Sequence, residues 1–298
     1  MRTLVTGLSG FVGQHLAARL PTDALTLDGE PVDIAQPAPV LAALDELRPD
    51  AVVHLAAQTH VPSAVADPTT TYQVNVLGTL NLLQALRQTG FRGRLLYISS
   101  GDVYGLVPES RLPIDEQLPP NPLNPYAASK LAAEALTRQW GAMGPFEVVI
   151  ARPFNHIGPA QDPRFAIADF ARQAALVALG RQEPTLAVGD IDATRDFTDV
   201  RDVVDAYVAL LQRGRPGETY NVCSGAEHSL REAISIFSEL IQVPLACSVQ
   251  TERLRRADQR RVRGAFDKLN TDTGWAPTMS FRQTLNDTLQ HWLRTESA

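Results

Sequence analysis

The first thirteen residues constrain this chain most. An apolar run, Leu4-Val5-Thr6, passes directly into Gly7-Leu8-Ser9-Gly10-Phe11-Val12-Gly13, and an amphipathic stretch follows to about residue 20. A strand that ends in closely spaced glycines and opens a helix is the frame a dinucleotide pyrophosphate requires. Gly7 permits the tight turn, Gly10 lets backbone approach the phosphates, and Gly13 lets helix and strand pack closely, while the helix N-terminus favours negative charge. Phe11 and Val12, between the last two glycines, join the expected cofactor contacts. The spacing is GxxGxxG, one residue longer at its first gap than the usual fingerprint. Three glycines alone would also serve a simple turn; the strand–turn–helix context favours the cofactor reading.

The same alternation continues. Up to residue 152, β-branched runs predict strands near 2–6, 24–28, 51–55, 94–99 and 146–152, separated by helical patterns near 11–20, 38–48, 71–89 and 125–143. Strands alternating with helices predict an α/β fold, a Rossmann-type doubly wound parallel sheet. Val76, Leu77, Leu80, Leu83 and Leu86 form a stripe in the third helix, read as core or dimer interface. After Arg152 the texture changes to shorter elements punctuated by Gly, Pro and Asp, with helices near 164–180, 200–213, 229–241 and 281–295 and strands near 185–188 and 219–222. The expected division is therefore 1–152, a dinucleotide-binding domain whose sheet is open to completion by later segments, and 153–298, a smaller, mainly substrate-binding α/β portion.

Composition narrows the class. With 298 residues, 44% hydrophobic and 20% charged, the chain can bury a large core. A net charge of −6 argues against nucleic acid as partner, although a local arginine cluster can still hold an anionic small molecule. Cys223 and Cys247 fit no metal-ligand spacing, so no metal is expected, and both lie in apolar stretches that predict buried, reduced thiols. The start resembles no signal peptide and no run reaches membrane-spanning length, which predicts a cytoplasmic enzyme without a membrane partner.

Several residues are placed to finish a cofactor site. Asp28 closes the predicted second strand where an acid binds the adenosine ribose; it reads almost equally as a turn residue. A carboxylate there repels a 2′-phosphate, and no arginine lies between residues 20 and 47, so NADH is expected to serve at least as well as NADPH. Asp33 and Ile34 offer a carboxylate and an apolar wall for adenine. Leu55, Ala56 and Ala57 follow His54 at the third strand end with mostly small side chains; His54 itself reads as a satisfied strand-end histidine.

Asn124-Pro125-Tyr126 followed by Lys130 combines a helix cap, a first-turn proline, and Tyr and Lys on one helical face. A nearby ammonium favours the phenolate, which would let Tyr126 exchange a proton near neutral pH. The pair follows the strand end Tyr97-Ile98-Ser99-Ser100, which in a doubly wound sheet faces the cofactor crevice. Ser100 can then bond a substrate carbonyl, Tyr126 can supply the proton, and NAD(P)H the hydride.

TGLSGFVG, HLAA, YISSGDVYG and PYAASK, taken in this order along essentially the whole chain, resemble the extended short-chain dehydrogenase/reductases that modify nucleotide sugars. The resemblance selects Ser100 over Ser99, gives Lys130 the nicotinamide ribose and has Asn75 support the geometry; an isolated helical Asn is also a common packing residue. It implies Asn155 and the arginines Arg195 and Arg255 at the sugar nucleotide's diphosphate, where a lone arginine otherwise reads as solvated charge. RPFNHIGP, VGDIDATRDFTDVRD and YNVCSG are most similar to the GDP-4-keto-6-deoxy-D-mannose reductase subfamily, which implies a GDP-linked deoxyhexulose substrate, Val188 and Gly189 near the nucleoside, and a homodimer. Related dehydratases carry Thr-Asp-Glu or Thr-Ser-Glu where this chain has Ser100-Gly101-Asp102. The missing side chain and shorter carboxylate imply reduction without dehydration, with Asp102 orienting the sugar or capping the loop. The rivals are a 4,6-dehydratase or 4-epimerase, which shows no net NAD(P)H consumption, and a non-catalytic dinucleotide sensor, which would not need Ser100, Tyr126 and Lys130.

Overall fold

This computed structural model describes residues 2–251 and 259–297. Six parallel strands form the central sheet in the order Thr22–Ala24, Thr3–Thr6, Ala51–His54, Arg94–Ile98, Glu147–Pro153 and Thr219–Val222. Successive residues alternate between two buried faces, as the pleat dictates. Leu4, Val52, Leu95 and Val148 pack under the helices Pro37–Leu47, Gly78–Gln88 and Pro125–Met143. Val5, Val53, Leu96 and Val149 pack under Phe11–Arg19, Val200–Arg213 and Asp267–Thr273. This is a Rossmann-like α/β fold. The chain leaves Thr3–Thr6 first to one side and then to the other, so the switch point lies between that strand and Ala51–His54, above their carboxyl ends.

The second predicted strand is corrected. Only Thr22–Ala24 joins the sheet; Thr26–Leu27 folds back on Glu30–Pro31 as a hairpin. Its tip is Asp28-Gly29, with φ of 52° and 83°. Asp-Gly tolerates positive φ at both positions of a two-residue turn, so turn chemistry overrides the apolar run. The predicted 71–89 helix is likewise divided into Pro68–Tyr72, a π-helical turn Gln73–Leu77 and Gly78–Gln88. The wide turn shifts the helical register, so Leu83 and Leu86 are buried whereas Leu77 is 52% exposed.

Beyond the sheet, Asn155–Ile157, Thr194–Asp199 and Glu227–Ser229 form a three-stranded sheet, and Thr185–Val188 pairs with Ala246–Val249. Helices Ala166–Ala178, Leu230–Ile241 and Phe281–Ser297 enclose a separate core around Phe170, Phe237 and Leu285. No strand pattern marks Asn155–Ile157 or Glu227–Ser229, which are three residues long and mostly polar. Cys223 is buried, but Cys247 is exposed, contrary to expectation, because its strand is exposed at all four residues.

Candidate active site

Gly7 holds φ +75°, and a Cβ there would stand 2.9 Å from the Ala56 nitrogen. The glycine loop therefore rests on the backbone that follows the third strand. At Gly13 a Cβ would meet the Leu8 and Gly7 carbonyls at 2.5 and 2.6 Å, so only glycine lets the helix start this close to the turn. Gly10 caps the helix Phe11–Arg19 without a side-chain hydrogen bond, leaving its first N–H groups for an anion. This cradle fits a dinucleotide pyrophosphate. Val12 leans on the sheet core. Phe11 stacks on His156 with ring centroids 6.1 Å apart, drawing the loop after Pro153 over the helix start.

Around the loop, Leu55 donates its N–H to the Thr6 carbonyl and Ala56 to the Thr6 hydroxyl. The Thr6 hydroxyl in turn lies 2.7 Å from His54 Nδ1, and His54 Nε2 lies 2.9 Å from the Thr79 hydroxyl. Because Thr79 gives its proton to the Asn75 carbonyl, His54 donates from Nε2 and accepts at Nδ1. Ala57 is half-buried in the segment that Asn75 secures. Asn75 accepts from the Gln58 N–H and donates to the Gln58 carbonyl and the Ser129 hydroxyl, which itself bonds the Tyr126 carbonyl. It thus ties the third strand's exit to the helix bearing Tyr126 and Lys130. Asp33 spends a carboxylate oxygen on the Ala35 N–H, and Ile34 is buried against Gly78. Asp28 lies beyond the sheet strand, at the hairpin tip.

Helix Pro125–Met143 begins with the Asn124 side chain accepting from the Ala127 N–H at 2.8 Å and with proline in its first turn. Its buried face carries Tyr126, Lys130 and Glu134, each one turn apart. Ser100 caps the 3₁₀ turn Gly101–Tyr104 by accepting from the Asp102 N–H at 3.1 Å. Burial pushes the Tyr126 phenol above its usual range, the negative charge of Asp102 adds to this, and hydrogen bonding with Ser100 opposes it. The expectation that Lys130 would favour the phenolate is therefore corrected: burial and Asp102 dominate, and Tyr126 stays a phenol. Burial brings the Lys130 ammonium down to about 7 against the opposing pull of Glu134. Burial and the Lys130 charge push His54 down to about 3, so that ring is neutral.

On the other side of the cleft, Asn155 is exposed at the start of its strand, opposite Phe197. Val188 is buried, its carbonyl accepting from the Gln250 N–H, and half-buried Gly189 leads to Asp190, which pairs with Arg260 at 2.7 Å. Arg195 donates to the Thr194 and Gln259 carbonyls at 2.8 Å each. Gln259 bonds both backbone groups of Val107, so Arg195 is coupled to the loop just past Asp102–Tyr104. Arg255 lies outside the described residues.

Sequence reasoning missed two features. The Phe154 ring lies where a side chain on Gly101 would project, 3.1–3.3 Å from its Cβ position. Arg152 makes a buried two-point contact with Glu134, Nε to Oε1 at 2.9 Å and Nη2 to Oε2 at 2.7 Å. Glu134 did carry a local signal, since it repeats the four-residue spacing of Tyr126 and Lys130.

Residues 26–288 match the family described as GDP-mannose 4,6 dehydratase. The chain is 52% identical to the GDP-6-deoxy-D-mannose reductase of Pseudomonas aeruginosa, over 98% of this chain and 97% of the relative. It is 32% identical to the UDP-glucose 4-epimerase of Mycolicibacterium smegmatis, over 97% and 98%. The structure of RMD from Pseudomonas aeruginosa complexed with NADPH superposes with a TM-score of 0.93 at 50% identity, covering 99% of this chain and 100% of that one. With the glycine cradle and the Ser100, Tyr126 and Lys130 arrangement, these matches establish that the chain belongs to the GDP-mannose 4,6 dehydratase family of the extended short-chain dehydrogenase/reductases.

Proposed function

We propose that this enzyme reduces the C4 ketone of GDP-4-keto-6-deoxy-D-mannose to GDP-D-rhamnose with NADPH or NADH. The observation that carries the reading is Tyr126: a buried phenol beside Ser100, on a helix tied through Asn75 to the wall of the glycine cradle. The dinucleotide supplies the hydride when bound. Gly7, Gly10, Phe11, Val12 and Gly13 receive its pyrophosphate, Leu55, Ala56, Ala57 and Asn75 shape the wall beside it, and Asp33 and Ile34 face the adenosine end, with Asp28 displaced to the neighbouring hairpin tip. Lys130 holds the nicotinamide ribose. Ser100 donates a hydrogen bond to the C4 oxygen, and Tyr126 delivers its proton to that oxygen as negative charge develops. Reduction asks a starting donor to be protonated, and Tyr126 is held so. Asp102, Asn155, Val188, Gly189, Arg195 and Arg255 bind the GDP-sugar.

Reduction alone is favoured over dehydration because Phe154 fills the space beside Gly101, where an acid–base group for the C5 and C6 chemistry would have to stand. Residues 1–152 serve mainly the dinucleotide and 153–298 mainly the sugar nucleotide. Homodimerisation is supported by Val65, Tyr72 and Leu77, 60%, 40% and 52% exposed on consecutive helical segments packed beside the catalytic helix. A cytoplasmic setting suits free thiols and a supply of reduced nicotinamide. Among the described residues no helix is long and apolar enough to cross a membrane.

The test supplies GDP-4-keto-6-deoxymannose, follows reduced-nicotinamide absorbance and identifies the product; stoichiometric oxidation with GDP-D-rhamnose formed is expected. GDP-mannose with oxidised cofactor should give no 4-keto product. Dehydration at catalytic turnover, or sugar conversion without net cofactor consumption, would replace this reading with a dehydratase or an epimerase.

A further inference from the structure

Of the chain's 27 lysines and arginines only Lys130 and Lys268 are lysines. Lys268 is an ordinary partner-bound cation, donating to the Glu218 carboxylate at 2.7 Å and the Thr219 carbonyl at 2.8 Å. Lys130 is set differently. It is 3% exposed, with its ammonium 4.8 Å from the centre of the Tyr97 ring. His54 and Tyr97 face it from two sheet strands, Tyr126 and Glu134 from its own helix, with Arg152 on the next strand and Asp102 on the turn beside Tyr126. His54 and Tyr97 are neutral there, and the charge of Asp102 bears on Tyr126.

Glu134 therefore supplies the anion one helical turn below Lys130 on the same buried face. Both its oxygens bond Arg152, whose guanidinium rests 4.9 Å from the centre of the Tyr104 ring, and Arg138 approaches Oε2 at 3.6 Å from one turn further along the helix, so the carboxylate is fixed in place and does not close into a contact pair with Lys130. Glu134 and Arg152 are 1% and 4% exposed. A buried ion pair is a weak stability device compared with apolar packing of the same volume, so its position asks for another reason.

We propose that Glu134, clamped by Arg152, is a positioning residue that holds the Lys130 proton up into the neutral pH range while leaving the Lys130 donors to the dinucleotide. The proposal rests on the reading of Lys130 as a cofactor contact. The charge balance agrees: burial alone drives a buried amine toward its neutral form, and the fixed carboxylate opposes that drift.

Because the chain has two lysines, lysine labelled with carbon-13 at Cε yields two resonances, with Lys268 as internal control. Titration of the full-length wild type, Glu134→Gln and the paired Glu134→Gln/Arg152→Gln variant, which removes both members of the buried pair, reads the effect directly. The Lys130 midpoint should fall by about one pH unit in the single variant, a tenfold loss of proton affinity, and by less but in the same direction in the pair. Turnover above the new midpoint should fall in step and recover on acidification. A Lys130 midpoint unchanged in both variants, whatever happens to their melting temperatures, would overturn the proposal. A lowered midpoint with an unmoved pH–turnover profile would uphold the charge-holding role and remove Lys130 from the reaction.

Discussion

The helix face that carries Tyr126 and the arginine-rich segment 260–263 are built on opposite principles. Lys130 and Glu134 are almost fully buried, and their surroundings are held by Asn75, Ser129 and Arg152. Arg260 and Arg261 are 65% and 47% exposed and pair with Asp190, Glu227 and Glu109. Exposed pairs of this kind are worth about 0–1 kcal/mol, so an incoming anion would displace the carboxylates at little cost. On the proposed function, the buried side is preorganised because a misplaced proton donor loses rate, and the exposed side keeps exchangeable partners because it would admit and release a large anion.

The sharpest way to break this comparison is at the rigid side. Tyr126→Phe should lower turnover by about two to four orders of magnitude with NADPH binding retained, as measured by single-turnover absorbance and cofactor fluorescence. Turnover near wild type would place the proton donor elsewhere. On the sugar side, Arg195→Ala should raise the KM for the GDP-sugar by about ten- to a hundredfold, the loss of one charge-assisted contact, and leave the NADPH dissociation constant alone. An equal loss of both affinities would mean that Arg195 organises the loop after Tyr104 rather than the substrate.

A smaller effect tests the buried histidine. His54 titrates at 6.5 when unfolded and about 3 when folded, so the unfolded chain binds the extra proton between those values. Its stability contribution is complete above pH 6.5 and is lost as pH falls toward 3, by about 1.4 kcal/mol per pH unit for one proton. Denaturant melts of wild type and His54→Gln across that window should show a shallower pH slope in the variant; equal slopes would assign acid sensitivity to the carboxylates alone. The smallest change is expected at Asp28. At the hairpin tip it is removed from the strand end that made it a barrier to a 2′-phosphate, and the Pseudomonas relative was solved with NADPH. Asp28→Ala should therefore alter the ratio of NADPH to NADH efficiency by less than about threefold, under half of the roughly 1.4 kcal/mol that a tenfold change represents. A large swing toward NADPH would restore Asp28 to the ribose.

What was legible in the chain follows contact distance along it. Gly7, Gly10 and Gly13 are spaced within one turn and its helix, and Asn124, Tyr126 and Lys130 within two helical turns, so local geometry alone brings each set together. The strand end Ser99-Ser100 was readable because a strand's carboxyl end in this fold faces the cofactor crevice, and the family resemblance chose Ser100. The Asn75 bridge to Gln58 and Ser129, the Phe154 ring beneath Gly101 and the Arg152 clamp on Glu134 join segments 17 to 54 residues apart, which no periodicity encodes.

Asp28 and Leu77 show the same limit in reverse. Their local patterns announced a strand and a single helical stripe, and a tight Asp-Gly turn and a π-helical turn redirected both. The amino-acid order by itself determined the α/β class, the phosphate loop and the Tyr126–Lys130 face, because each rests on backbone geometry over a few residues. The protonation of Tyr126 and the balance held at Lys130 were decided only in the folded structure. Both depend on how completely other segments exclude water and where they fix opposing charge.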